Sequence, residues 1–229
     1  MMKDIMEPML TDLLTDGSGG GDNVLFIGAA AGPTSGADGN VMTTLQSKYG
    51  AANVTYLQAS AAVTADANGR SLLVISSTPN SGDIRGKWNN SAVPVMNWEE
   101  AVMKSATGDF EFSSGTAKPT STDINVILDT HPIMVQAGLS NGVNVIKSNA
   151  EGNCPNGTIA VGVTVLAELP TDAGCKIVSV AEQGALDFNS NPFPARRGMF
   201  PITDSTFNSL NASGLALFDA MLDWLSGMI

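Results

Sequence analysis

Few residues in this chain are suited to covalent chemistry, and they are scattered. There is a single histidine, His131, in Asp129-Thr130-His131-Pro132-Ile133, and there are two cysteines, Cys154 and Cys175. A serine nucleophile needs a base, and the base needs a group to orient it. Ser76 and Ser77 are the serines placed for that role, since they end the apolar run Ser71-Leu-Leu-Val-Ile-Ser76 and open a Thr78-Pro79 turn. Ser76 or Ser77 with His131 and Asp129 is therefore the only triad on offer. The glycines that flank a nucleophile on a sharp strand-to-helix turn are missing. A lone His before Pro reads more simply as a turn residue whose ring caps a neighbouring carbonyl, so no catalytic residue is favoured.

Other chemistries are equally thin. Gly28-Ala-Ala-Ala-Gly32-Pro-Thr34-Ser35-Gly36 follows an apolar run and is rich in the residue that lets backbone amides approach an anion. Gly32, Thr34, Ser35 and Gly36 are thus the anion-loop candidates, but the spacing is neither that of a dinucleotide fingerprint nor that of a P-loop. The preferred reading is a small-residue loop that allows close helix–strand packing, with no cofactor. The carboxylates and the one imidazole form no ligand cluster at helical or hairpin spacing, so no metal is expected. Asp83, Glu99 and Glu100 are the acids that could meet at a strand end. Arg196-Arg197 suits a carboxylate on a partner, or an ion pair with the chain's own acids. The cysteines lack Cys-x-x-Cys spacing and read as free buried thiols, a disulfide being the alternative in an oxidising compartment.

The elements that must position these residues follow from periodicity. Asn23–Gly28, Asn53–Leu57, Ser71–Ser76 and Val93–Asn97 read as strands, with a helix over Asn40–Tyr49. Continuous apolar strands separated by crossovers predict a parallel sheet covered on both faces. The second half reads as strands at Asn125–Leu128, Val143–Ile146, Thr158–Glu168, Lys176–Ala181 and Gly198–Pro201, an antiparallel extension with little helix. Thr206–Met228 closes the chain as a helix, with Asn211 or Ser213 as its cap. The fold class is a flavodoxin-like α/β mixed sheet with helices on both faces, over residues 23–229.

Ahead of that domain, Met2, Ile5, Met6, Met9, Leu10, Leu13 and Leu14 recur at helical spacing within residues 1–16, followed by a Gly/Ser linker over residues 17–22. A Met-rich apolar stripe on a tether suits docking into a groove, or else the helix folds back onto its own domain. No signal peptide is read in Met1 to Asp16, and no run reaches the ~18 apolar residues of a membrane span. The formal charge is -11 over 229 residues, which argues against nucleic acid and anionic lipid as partners. Cytoplasm or the interior of a virion is the expected setting.

The ordered features resemble a known family. Leu72-Leu-Val-Ile-Ser-Ser77, Val93-Pro-Val-Met-Asn-Trp98-Glu, His131-Pro132-Ile133 followed by Ala137-Gly138-Leu139, and Leu217-Phe-Asp-Ala-Met-Leu-Asp-Trp224 are together similar to the class I glutamine amidotransferase-like superfamily, nearest to its ThuA-like, trehalose-utilisation branch. The resemblance covers about Asn23 to Met228. It departs in two places: no nucleophilic Cys stands near Ser77, and Ile202-Thr203-Asp204 replaces the Gly-His that such domains often carry before the last helix. The resemblance thus implies a scaffold without its usual catalytic equipment.

The expected function is a noncatalytic structural or assembly module of a multi-subunit particle, filament or surface layer, such as a virion accessory protein. Its partners would be identical subunits or a larger shell, engaged through Met2, Ile5, Met6, Met9, Leu10 and Leu13. A low-charge surface rich in Asn, Thr and Ser suits packed interfaces. Two alternatives remain. One is a ThuA-like sugar-processing enzyme or a serine hydrolase using Ser77 and His131. The other is a carbohydrate-binding module using Trp88, Trp98 and Tyr56, the aromatics outside the obvious core patterns.

Overall fold

The computed structural model describes residues 23–229. The expected N-terminal helix and linker, and with them the docking stripe from Met2 to Leu14, lie outside the described residues. Eleven strands and four α-helices follow one another as β1 (Val24–Gly28), α1 (Asp38–Tyr49), β2 (Val54–Gln58), β3 (Leu72–Ile75), α2 (Ser81–Ile84), β4 (Val95–Asn97), β5 (Ser113–Ala117), β6 (Asp123–Val126), α3 (Pro132–Ala137), β7 (Gly142–Val145), β8 (Cys154–Ile159), β9 (Val163–Glu168), β10 (Val178–Ala181), β11 (Arg197–Met199) and α4 (Ala212–Leu225).

Nine strands form one sheet in the order β2-β1-β3-β4-β11-β10-β9-β6-β7. The pairs β1–β2, β1–β3, β3–β4 and β4–β11 are parallel. Beyond β11 every pairing is antiparallel. This is the flavodoxin-like mixed sheet that the sequence predicts, with its antiparallel extension in the second half.

The central strands are apolar throughout because successive side chains enter two different cores. Val24, Phe26, Leu72, Val74 and Met96 join the core under α1, α3 and α4. Leu25, Ile27, Leu73, Ile75 and Val95 join the core on the other face, covered by the single-turn α2, 3₁₀ turns and the loops around Phe110, Phe112 and Phe193. Each face has helical cover, but the long helices are all on one.

Several local expectations are corrected. Thr158–Glu168 is two strands: β8 pairs with β5 in a separate two-stranded sheet, and β9 enters the main sheet. The chain turns at Gly162, whose amide donates to the Leu186 carbonyl, and a Cβ there would collide with the Leu186 backbone. The C-terminal segment is a 3₁₀ turn, Thr206–Ser209, then α4, whose cap is Asn211: its side chain accepts from Gly214 N at 3.0 Å. His131 caps no carbonyl. Its Nδ1 accepts the Ile133 amide at 3.3 Å as the N-cap of α3, and Pro132 fills the first helical position, where a missing N–H costs nothing.

The cysteines are not free. Cys154 and Cys175 are bonded, with Cα atoms 5.7 Å apart, because the Lys176 amide donates to the Pro155 carbonyl and brings the two segments together. The tryptophans are not surface platforms either. Trp98 packs between Phe26 and Phe218, and Trp88 is fully enclosed in the opposite core. Tyr56 is half-buried, with its hydroxyl donating to the Ala30 carbonyl. Among the described residues, no helix is long and apolar enough to cross a membrane.

Candidate functional site

Strand order reverses between β1 and β3, and open parallel sheets bind ligands at the carboxyl ends beside such a reversal. Here the chain's own side chains fill that place. Asp38, the first residue of α1, is 1% exposed and accepts from Ser76 Oγ at 2.7 Å and Thr78 Oγ1 at 2.8 Å. Thr78 Oγ1 in turn accepts the Ala29 amide at 3.1 Å, which ties the loops after β1 and β3 together. Burial raises the Asp38 carboxyl above the usual range, against the pull of the two hydroxyls, and the Asp204 charge adds to the rise. Burial and the Asp38 charge push the Tyr56 hydroxyl up to about 12. Gly28 makes the packing possible, since a Cβ there would overlap both the Asp38 carboxylate and the Tyr56 hydroxyl.

The loop from Gly32 to Gly36 is tied to itself, to α1 and to Asp204. Thr34 N donates to Gly32 O, Asp38 N to Ser35 O and Ala37 N to the Asp204 carbonyl, at 2.7, 3.0 and 2.7 Å. Gly36 has φ +51°, and a Cβ on it would collide with that same Asp204 carbonyl. Carboxylates at Asp38 and Asp204 beside these amides disfavour an anion.

The serine, histidine and aspartate of the sequence-level triad are not brought together. Ser76 serves Asp38, and Ser77 Oγ donates to Asp204 Oδ1 at 2.7 Å. His131 packs on Trp224 at 5.6 Å between ring centroids, and Arg196 covers the same indole at 4.7 Å. Arg196 precedes β11, which shares the direction of β3 through β4, so this cluster sits at the amino edge of the sheet. Ser76 and Ser77 sit at the carboxyl edge, a strand length of about 13 Å away. Burial holds the His131 imidazole below its ordinary pKa; the Arg196 charge acts in the same sense and Glu182 opposes it. Asp129 is occupied elsewhere, exchanging two 3.2 Å hydrogen bonds with Asn141.

Of the acids expected at a strand end, Glu99 and Glu100 do meet just beyond β4. Asp83 is not among the groups that act on Glu99; Asp204 is. Glu99 is nine-tenths buried, and burial together with the Glu100 charge pushes its carboxyl up to about 8, with Lys118 opposing. Glu99 therefore holds a proton at neutral pH. Lys118 Nζ lies 3.3 Å from Glu100 Oε1, and that carboxylate raises the lysine. Glu100 Oε2 is buried without a donor.

Lys118 also lines an open cleft of about 380 Å³, with Thr120, Glu151, Asn153, Thr203 and Asp204. Asn153 is 1% exposed; its Nδ2 donates to the Trp98 carbonyl at 2.6 Å, while its Oδ1 has no donor. Behind Gly152, buried Lys147 donates to the carbonyls of Glu151 and Pro201, and burial pushes its ammonium down to about 8. Sequence reasoning missed Asp204, Asn153, Lys118 and Lys147. The basic pair splits: Arg196 pairs with Glu182 at 2.9 Å, whereas buried Arg197 binds the carbonyls of Asn89, Ser91, Val93 and Arg196, with no acid beside it. Among the described residues, no three His, Cys, Asp or Glu side chains are placed to hold a metal ion.

No protein-family model matches the chain, and no curated protein matches it. Among solved structures, it is similar to a protein from Bacteroides uniformis described as ThuA-like, with a TM-score of 0.58 and 12% sequence identity, covering 89% of this chain and 90% of that one. Identity that low shows the fold alone: the chain has a ThuA-like, flavodoxin-type α/β architecture.

Proposed function

We propose that this domain is a noncatalytic module on a ThuA-like scaffold, serving a structural or assembly role in a multi-subunit surface layer, filament or particle. One observation carries the reading. Both hydroxyls at the position where related folds place a nucleophile are held by carboxylates, Ser76 by Asp38 and Ser77 by Asp204, while the one imidazole caps a helix at the other edge of the sheet. A serine whose hydroxyl is tied to a carboxylate, with the one imidazole at the other edge of the sheet, lacks the serine–histidine relay of the related enzymes. The Cys154–Cys175 bond favours an oxidising surface over the cytoplasm. With Trp88 and Trp98 enclosed, the aromatic platform of a carbohydrate-binding module loses its two largest members.

Two measurements test this. Activated esters and nitrophenyl glycosides should show no turnover above buffer; turnover abolished by Ser77→Ala or His131→Ala would overturn the noncatalytic reading. Light scattering on the full chain and on residues 23–229, which contain both cores, should show association in the full chain only. Monomers in both cases would remove the assembly role.

A further inference from the structure

The chain's one imidazole serves as an acceptor, and that use requires the neutral ring. A backbone N–H can only donate, so the 3.3 Å contact from Ile133 N makes His131 Nδ1 the bare nitrogen and leaves the ring proton on Nε2. Pro132 offers no amide, so Ile133 N is the first donor of α3 that the cap must satisfy. An imidazolium carries a proton on both nitrogens and cannot accept it. Protonation would set N–H against N–H, at the end of a helix that disfavours positive charge.

The helix that depends on this cap is short. α3 has six residues, too few to hold on propensity alone. His131 closes its opening turn twice over, since its carbonyl also accepts the amides of Met134 and Val135 at 2.9 and 3.0 Å. Directly behind the cap, Ile133 and Met134 are fully buried in the core shared with α4. The imidazole itself belongs to a half-buried residue and is within reach of solvent protons.

Its charged neighbours are few. On α4, Trp224 lies against the ring at 5.6 Å, while Asp223 is taken by Gln136 and Lys48. Ahead of β11, Arg196 covers the same indole and donates to the Trp224 carbonyl. Glu182, just past β10, acts on the imidazole but is held by Arg196 at 2.9 Å. Asp129, on the loop before α3, is engaged by Asn141. Burial keeps the imidazole below its ordinary pKa; Glu182 opposes and Arg196 adds to the fall.

We propose that His131 is an acid-sensitive latch: protonation of its imidazole releases the first turn of α3 and uncovers the apolar side chains of Ile133 and Met134. Proton uptake and loss of the cap are one event, because the group that closes the turn is the group that titrates. The sign follows from linkage. The closed turn holds the neutral ring, so opening is favoured as pH falls through the imidazole's titration. The latch does not depend on the assembly role and is tested apart from it.

Amide exchange of the ¹⁵N-labelled full chain, corrected for intrinsic rates, reads the latch directly. Opening at Ile133, Met134 and Val135 should rise at least threefold between pH 7.5 and pH 5, while the amides of β1 and β3 keep their protection. The rise should follow the titration of the His131 ring nitrogens, whose shifts should show Nδ1 without a proton at pH 7.5. His131→Asn keeps a capping acceptor that does not titrate, so its three amides should open equally at both pH values. Unchanged protection in the parent at pH 5 would overturn the proposal. So would a ring protonated on Nδ1 at pH 7.5, or an Asn variant that opens with acid as the parent does. The parent's exchange and ring shifts decide the matter even if the variant fails to fold.

Discussion

Ser77 and Asp204, 127 residues apart in the chain, meet at 2.7 Å on the carboxyl edge of the sheet. The same Asp204 accepts the Ala37 amide through its carbonyl, so one residue fastens the end of β3 and the start of α1. Asp204→Ala should cost about 1.5 to 3 kcal/mol, the range for a hydrogen bond to a charged group. Asp204→Asn keeps an acceptor and should cost less than half of that. Urea unfolding of both variants measures the difference, and an Ala variant as stable as the parent would show that the contact is absent in solution.

The disulfide closes a loop between positions 154 and 175. Chain-entropy arguments give a loop of this size about 3 kcal/mol. Reduction, or Cys154→Ser with Cys175→Ser, should therefore lower unfolding stability by about that amount. Equal denaturation midpoints with and without dithiothreitol would contradict this.

Glu99 sets a pH dependence of definite sign. Its carboxyl is raised from 4.5 to about 8 on folding, so between those values the folded state holds a proton that the unfolded state has released. Its favourable contribution is complete below pH 4.5 and is lost as pH rises through 8. Buried Asp38, raised as well, acts in the same direction. Glu99→Gln should be more stable than the parent at pH 9 by about 1 kcal/mol or more and should flatten the decline. Thermal melts from pH 5 to pH 9 would read this out. Lowered His131 and Lys147 act in the opposite sense, so the difference between parent and variant is the test, and a Glu99→Gln difference that does not grow with pH would contradict the burial of this acid.

Asn211 caps the helix that covers the larger core. Asn211→Ala also removes the hydrogen bond from Asn211 Nδ2 to the Val145 carbonyl on the edge strand β7. The expected loss is about 1 to 2 kcal/mol. Asn211→Asp keeps the cap but not the edge contact and should fall between the two, so the pair of variants separates the contributions in equilibrium unfolding.

The parallel half was legible because burial on both faces writes itself as unbroken apolar runs, as in Leu72–Ile75. Pairing between distant segments leaves no such trace. Ser113-Ser-Gly-Thr-Ala117 is polar and small, and becomes strand β5 only because β8 lies beside it. Trp98 reads as a stray aromatic until Phe26 and Phe218 close around it. The candidate site suffered most. Asp204 and Asn153 sit in loops with no periodicity, and their roles depend on partners at Ser77 and Trp98, far away in the chain. Serine and histidine were easier to notice than to connect, since only three dimensions reveal that Ser77 and His131 occupy opposite edges.

The three residues of β11 join the two halves of the main sheet, parallel to β4 on one side and antiparallel to β10 on the other. They are also among the last strand residues to be synthesised. Until Arg197–Met199 leaves the ribosome, β4 and β10 each present an open edge once made, one core lacks Met199 and the other still lacks α4. A growing chain therefore keeps the β4 edge open from Asn97 until Arg197 and adds a second open edge once β10 ends at Ala181, each a template for pairing with a neighbour. The solubility of truncated chains that stop before Arg197 should be far more sensitive to crowding and concentration than that of the finished protein.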